Sequence, residues 1–355
     1  MSLESSRARS FILLRKHRPD IVILVMVVIL FVVGIQHVFK GDAPQYETMV
    51  KVFRGSASLE EVDPPFRNRI LLPFLASFLP FGPMESMQLV NFFFSVGLGM
   101  IFFRYMRSFS FNAADSLLGV VLLLFSQPFV VYGTKPLTDV SSLFFIVLAL
   151  LLIRTKIKWA LASASICLGV MSRETVIFVL PVFLYYAARS ESRKALAWIL
   201  GLLPIAVVFS VRVLSTLAVP SDGGSADLGH YWLPSIDLTI SNVKRMVDFD
   251  NLGSTAFGTW LAILPFVPLL IPAFRKKEAI PIFDRSQKEF LPVTSIFMGL
   301  LMLYGLTAAY FDSRFVWVLY PVLVPVGLKG YSNWSGIWGL RRIKGVIDRM
   351  AHSLV

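Results

Sequence analysis

Residues 41–47 read GDAPQYE and follow directly on the apolar run IVILVMVVILFVVGIQHV, residues 21–38. A run of that length matches a bilayer-spanning helix, which needs about 20 apolar residues. Two acids, a proline and a tyrosine therefore stand at a membrane boundary, and the side they face decides how the remaining chain is read. Arg7, Arg9, Arg15, Lys16 and Arg18 precede the run, and an excess of Lys and Arg marks the cytoplasmic side. The run is too long for a signal-peptide core and no small-x-small pattern follows it, so an uncleaved first helix is expected. GDAPQYE then faces outward.

Composition supports a membrane protein throughout. The chain has 355 residues, 56% of them hydrophobic, with a mean hydropathy of +0.70. Water could not tolerate so much apolar surface. The apolar runs are continuous rather than alternating, which excludes a strand barrel. The net charge of +12 does not indicate nucleic acid, because the basic residues punctuate the ends of apolar runs instead of forming an aromatic-interleaved patch. The lone Cys167 excludes an internal disulfide and reads as a small core residue.

An all-α fold with about ten spanning segments is expected, near residues 21–39, 86–106, 115–133, 138–154, 157–171, 174–188, 195–213, 256–274, 291–310 and 315–330. The stretch 69–82, RILLPFLASFLPFG, is too short to span and reads as a re-entrant or interfacial half-helix. With the N-terminus inside, the inner connections and both ends hold 23 of the 34 Lys and Arg, while 14 of the 22 acids lie outside. Both termini are expected in the cytoplasm of a multi-pass inner-membrane protein. Residues 1–20 and 331–355 form its basic ends, 40–85 and 214–255 are the long outer loops, and 1–355 is one membrane domain.

The outer face gathers the polar residues. Asp42 suits an N-cap, with Pro44 in the first turn and Gln45 placed as a capping-box partner. The following helix puts Tyr46, Met49, Val50 and Phe53 on one face, which suits a helix lying on the membrane surface. TKPLTD (134–139) brings Lys135 and Asp139 to two helix ends, SRET (172–175) brings Arg173 and Glu174, and AYFDSRF (309–315) brings Asp312 and Arg314. Arg67 and Arg69 stand in PPFRNRILLP. Each has a structural explanation as a cap or an ion pair, but charges near bilayer depth are expensive and mark functional pathways.

Such a set suits one kind of chemistry. Carboxylates can take a proton from an attacking hydroxyl, and arginines can hold a phosphate leaving group. No phosphate-binding glycine loop occurs, and no Cys/His cluster or H-E-x-x-H points to zinc. His37 and His230 are isolated; His230, in GHYW, is a sugar-contact candidate. No cofactor is called for, and nothing in the pattern indicates a divalent metal.

Several stretches resemble the integral-membrane glycosyltransferases of the GT-C fold. GDAPQYETMVKVFRG is similar to their first outer loop, with an acid after the first membrane helix. PPFRNRILLPFLASFLPFG is similar to the segment entering their second helix. TKPLTDVSSLFFIVLALLLI looks like their later outer acid, and ASICLGVMSRETVIFVLPVFLYY like their small-residue helix ending in Lys or Arg. FDSRFVWVLYPVLVP resembles the acid-x-Arg-aromatic close of their helical core. The resemblance covers about residues 20–328. It implies an inverting sugar transfer from a polyprenyl-phosphate donor to a lipid, glycan or protein acceptor among membrane lipids. By it Asp42 is the catalytic base, Asp139 a second acid, and Arg173 and Arg314 the phosphate holders. Glu174, Arg67, Arg69, Lys135 and Tyr46 are further binding candidates, with Glu47 a partner of Asp42. Two readings compete with a transferase. A transporter or lipid flippase would gather its charges at mid-membrane on repeated, interrupted helices. A non-catalytic scaffold would keep the fold without the chemistry.

Overall fold

The computed structural model describes residues 3–34, 41–155, 159–189, 194–218, 235–249, 255–267, 285–308 and 313–334, and every regular element among them is helical. Helix α1 (Leu3–Gly34) is followed by α2 (Ala43–Phe53), α3 (Leu71–Ser77), α4 (Pro83–Ser108), α5 (Ala113–Leu124), α6 (Asp139–Thr155), α7 (Trp159–Ser172), α8 (Leu180–Ala188) and α9 (Lys194–Leu217). The later chain forms α10 (Ile236–Val247), α11 (Thr255–Ile263), α12 (Arg285–Ala308), α13 (Ser313–Trp317) and α14 (Tyr320–Trp334).

Among the described residues, three stretches are helical, long and apolar enough to cross a membrane: Pro83–Ser108, Trp198–Leu217 and Glu289–Thr307. They make the chain an integral membrane protein. The expected spans 115–133, 157–171 and 174–188 coincide with shorter apolar helices, Ala113–Leu124, Trp159–Ser172 and Glu174–Ala188. Among the described residues, these three segments are shorter than the full spans expected there. The cause is local chemistry: 115–133 breaks before Pro128 and resumes as one π-helical turn, Phe129–Gly133. Likewise 315–330 is divided into α13 and α14, with Pro321 in the first turn of α14.

Helix α1 shows how an apolar helix meets protein and lipid at once. Ile23, Val27, Leu30 and Phe31 are buried, at the spacing of one helical face, whereas Val25, Ile29, Val32 and Val33 stay exposed. A helix apolar all round is covered on every side, here by α4 and α5 on one face and by hydrocarbon on the other. From there α4 packs on α6, α6 on α7 and α7 on α9. Helix α9 turns Trp198, Ile199, Leu202 and Phe209 outward, which is a lipid-facing surface.

The tyrosine face of α2 corrects the sequence reading. Ala43, Tyr46, Met49 and Val50 are buried, and they pack on α3 and α4 around Leu72, Ala76, Met87 and Val90 rather than on the membrane. Burial of each large side chain favours this docking by about 1.5–3 kcal/mol. Phe53 alone stays exposed, edge-on to Phe74 at 5.5 Å.

Three local devices bring the polar helix ends together. Asn91 on α4 donates from Nδ2 to the carbonyls of Lys135 and Leu137 at 2.6 and 2.7 Å, pinning the turn before α6. Gly169 lets the chain after α7 return closely, since a Cβ there would lie 2.6 Å from Val176 Cγ1. Arg173, with extended backbone (φ −159°, ψ 129°), ends α7 and opens the 3-10 turn Glu174–Val179.

Candidate active site

Asp42 occupies the cap position of α2 but makes no side-chain cap bond. Its Oδ2 instead accepts from Arg314 Nη1 at 3.0 Å, across 272 residues of chain. Gln45, the expected capping-box partner, is committed to Asp63: Nε2 donates to Oδ2 at 2.7 Å and Oε1 accepts the Asp63 N–H at 2.8 Å. A hydrogen bond to a charged group contributes about 1.5–3 kcal/mol, against about 1 kcal/mol for a cap. The guanidinium wins.

Arg314 also lies 3.9 Å from Asp139 Oδ2, and Asp139 Oδ1 accepts from Arg173 Nη1. The result is an alternating row, Asp42–Arg314–Asp139–Arg173, drawn from the start of α2, α13, the start of α6 and the α7 end. Side-chain exposure falls from 31% at Asp42 to 18% at Arg314 and 5% at Asp139. The row runs from an accessible acid into a desolvated ion pair. Aromatic rings support its cations: Arg314 stands 5.0 Å over Tyr132 and Arg173 6.0 Å over Phe315.

A second row lies beside the first. Arg69 Nη1 donates to Tyr46 Oη at 2.8 Å and Arg69 Nε to Glu174 Oε2 at 3.3 Å. Tyr46 Oη is also 3.1 Å from Thr138 Oγ1. Burial works against the Arg69 cation, but Tyr46, Glu174 and Asp42 outweigh it and raise its pKa above the ordinary arginine value. Neighbours in sequence divide between the rows: Thr138 from Asp139, and Arg173 from Glu174. The two rows are therefore joined through the backbone at 138–139 and 173–174.

Asp139, Ser142, Arg173, Thr175, Arg314 and Phe315 are among the residues lining a narrow cleft. Its free space is about 10 Å³, room for about one water.

Other expected site residues lie elsewhere. Lys135 Nζ donates to the Gly34 carbonyl at the end of α1, at 2.8 Å, and its burial lowers its pKa. Glu47 turns away from Asp42 and pairs with Lys51 at 2.8 Å, one helical turn on. Arg67 braces its own loop through the carbonyls of Val62 and Glu60. His37, His230 and Asp312 lie outside the described residues. The sequence reading missed Tyr132, Thr138 and Arg212, the last interacting electrostatically with Glu174 from α9. An arginine inside the apolar run of α9 was the available signal.

Among the described residues, no three His, Cys, Asp or Glu side chains gather as a metal site. The guanidinium of Arg314 stands between Asp42 and Asp139, so these acids do not fit a cation cradle in this arrangement.

No protein-family model matches the chain, and no curated protein does. Two solved structures are similar. The oligosaccharyltransferase of Archaeoglobus fulgidus in its apo form is 14% identical with a TM-score of 0.50, covering 92% of this chain and 51% of that one. The archaeal oligosaccharyltransferase AglB from Archaeoglobus fulgidus, in complex with an inhibitory peptide and a dolichol-phosphate, is 12% identical with a TM-score of 0.51, covering 93% and 52%. This chain spans about half the length of each. At these identities the likeness is one of fold, and the fold is GT-C.

Proposed function

We propose that this protein transfers a sugar, of the hexose class, from a polyprenyl-phosphate donor to an acceptor hydroxyl on the non-cytoplasmic face of the membrane, with inversion. The row Asp42–Arg314–Asp139–Arg173 carries the reading. Its accessible end is a carboxylate, and its deeper part supplies guanidinium groups with a counter-ion already in place.

Asp42 accepts the proton of the acceptor hydroxyl as that oxygen forms its bond to the anomeric carbon. The bond from this carbon to the phosphate oxygen breaks, and its electron pair leaves with the phosphate. Arg314 stabilises the charge developing on that oxygen, and Arg173 reinforces it from behind. A donor phosphate competes with Asp42 for Arg314, so donor binding releases the base. Two anions sharing one guanidinium give the reaction its order: donor first, then proton transfer.

An apolar groove of about 400 Å³ has Val121, Phe125, Val130, Leu261, Phe266 and Tyr320 among its walls. Val130 belongs to the π-helical turn that carries Tyr132 beneath Arg314. A prenyl chain seated there places its phosphate toward the guanidinium. The archaeal structure that holds a dolichol-phosphate supports this class of lipid.

The test is incubation of the purified protein with radiolabelled polyprenyl-phosphate sugars, wild type beside Asp42→Asn. Wild type is expected to release polyprenyl phosphate, and the variant to turn over about 10²–10⁴-fold more slowly with its thermal unfolding little changed. Equal turnover would remove Asp42 from the chemistry. Movement of intact donor across a vesicle membrane, without cleavage, would establish a transporter instead.

A further inference from the structure

Helix α10 carries Ile236, Ile240, Val243 and Val247 at spacings of four, three and four residues, which form one stripe along an α-helix. All four are exposed, at 78%, 49%, 47% and 65%. The opposite side docks on the protein. Asn242 is fully buried and donates from Nδ2 to the Leu306 carbonyl at 2.8 Å, and the Ser235 N–H donates to the Thr307 carbonyl at 2.8 Å. These carbonyls belong to the last turn of α12, where no intrahelical donor is available. Trp260 of α11 donates to the Met246 carbonyl at 3.0 Å and holds the other end.

The stripe is thus fixed to the end of a helix long and apolar enough to cross the membrane. On α12 itself Ile296, Leu300 and Leu303 are exposed at helical spacing, a surface that only hydrocarbon suits. The apolar face of α10 continues this lipid-facing surface at the boundary. Lys244, in the last turn of α10 and beside the stripe on the helix surface, supplies an adjacent cation.

We propose that α10 binds the bilayer surface on the side of the Asp42–Arg314 row, with its stripe in the acyl boundary and Lys244 at the level of anionic headgroups. This places a membrane anchor on the α12 end, from which the chain proceeds to Arg314. Helix α2 was expected to take that role, but it spends its apolar face on protein packing. The proposal stands on the membrane location alone and is independent of the sugar-transfer reading.

The test uses the full chain with Cys167→Ala in vesicles of phosphatidylcholine and phosphatidylglycerol. A nitroxide is placed in turn on Ile240→Cys, Val243→Cys, Asp237→Cys and Lys244→Cys. Labels at the two stripe positions are expected to collide more with oxygen than with a water-soluble nickel chelate, and those at the two polar positions less. Replacing phosphatidylglycerol by phosphatidylcholine is expected to bring the stripe labels nearer the aqueous phase. Equal nickel access at all four positions overturns the proposal. So does spin–spin broadening between copies labelled at Ile240→Cys, which would assign the stripe to a second chain. Ile236→Cys and Val247→Cys repeat the measurement should either first variant fail to insert, with the same two outcomes deciding it.

Discussion

The two ends of α6 hold arginines in opposite ways. At the N-terminal end Arg314 and Arg173 meet the carboxylates of Asp42 and Asp139. At the C-terminal end, about 22 Å away at 1.5 Å per residue, Arg154 donates to the Ser108 carbonyl at 2.7 Å and lies 4.0 Å over the Phe109 ring. Ser108 Oγ also accepts from Arg154 Nε, at 2.9 Å. A carbonyl that ends a helix and a ring in the core cannot leave, so they make Arg154 a fixed brace between α4 and α6. A partly exposed carboxylate is not held in that way. On the proposed function, the same residue type is structural at one end and exchangeable at the other.

Arg314→Ala tests the exchangeable end and carries the largest effect on substrate handling. Loss of one charge-assisted contact to phosphate, worth about 1.5–3 kcal/mol, should raise the donor KM about 10- to 100-fold. Arg314→Lys should recover only part of this, because an ammonium reproduces the charge but not the fork. A donor KM unchanged in Arg314→Ala would make Arg314 as structural as Arg154. The converse variant, Arg154→Ala, should lower stability by about 1–3 kcal/mol through its lost hydrogen bonds and ring contact. Thermal unfolding in detergent reads that loss, with kcat and KM of the remaining folded protein expected to match wild type. A changed donor KM in Arg154→Ala would erase the difference between the two ends.

The comparison also separates what was legible in the sequence from what was not. Helix ends were legible, because a charge or proline that stops an apolar run is a local signal. This is why Asp42, Asp139, Arg173 and Arg314 could be named together as one face. Their pairing was not legible. Asp42 and Arg314 are 272 residues apart, and the local pattern around Asp42 pointed to Gln45, which the structure gives to Asp63. The stripe of α2 was correctly periodic, but periodicity cannot say whether protein or lipid covers a face. Tyr46 made protein cover possible here, because its hydroxyl finds Arg69 and Thr138 inside. Among the described residues, apolar composition persists through the break at 318–319, which carries no polar mark, whereas Ser126, Gln127 and Pro128 do mark the break after α5.

Lys135 gives the smallest and most specific effect, because it resembles Arg154 although it lies at the Arg314 end. Its ammonium is buried and donates to the Gly34 carbonyl. Burial disfavours the cation and lowers its pKa in the folded protein. The unfolded chain keeps the ordinary value, about 10.4, and therefore binds more protons in the interval just below it. Stability must then rise with pH across that interval, and it is lowest on the acid side, where the folded protein has to bury the full charge. Lys135→Met should remove this alkaline slope. It also removes the bond to Gly34, at about 1 kcal/mol, while relieving the burial of charge, so the net change near neutrality should be small. Unfolding temperatures measured on both sides of the interval distinguish the cases. A slope that survives in Lys135→Met must come from another group. A variant that instead raises the donor KM as Arg314→Ala does would move Lys135 from the brace at the end of α1 into the phosphate site.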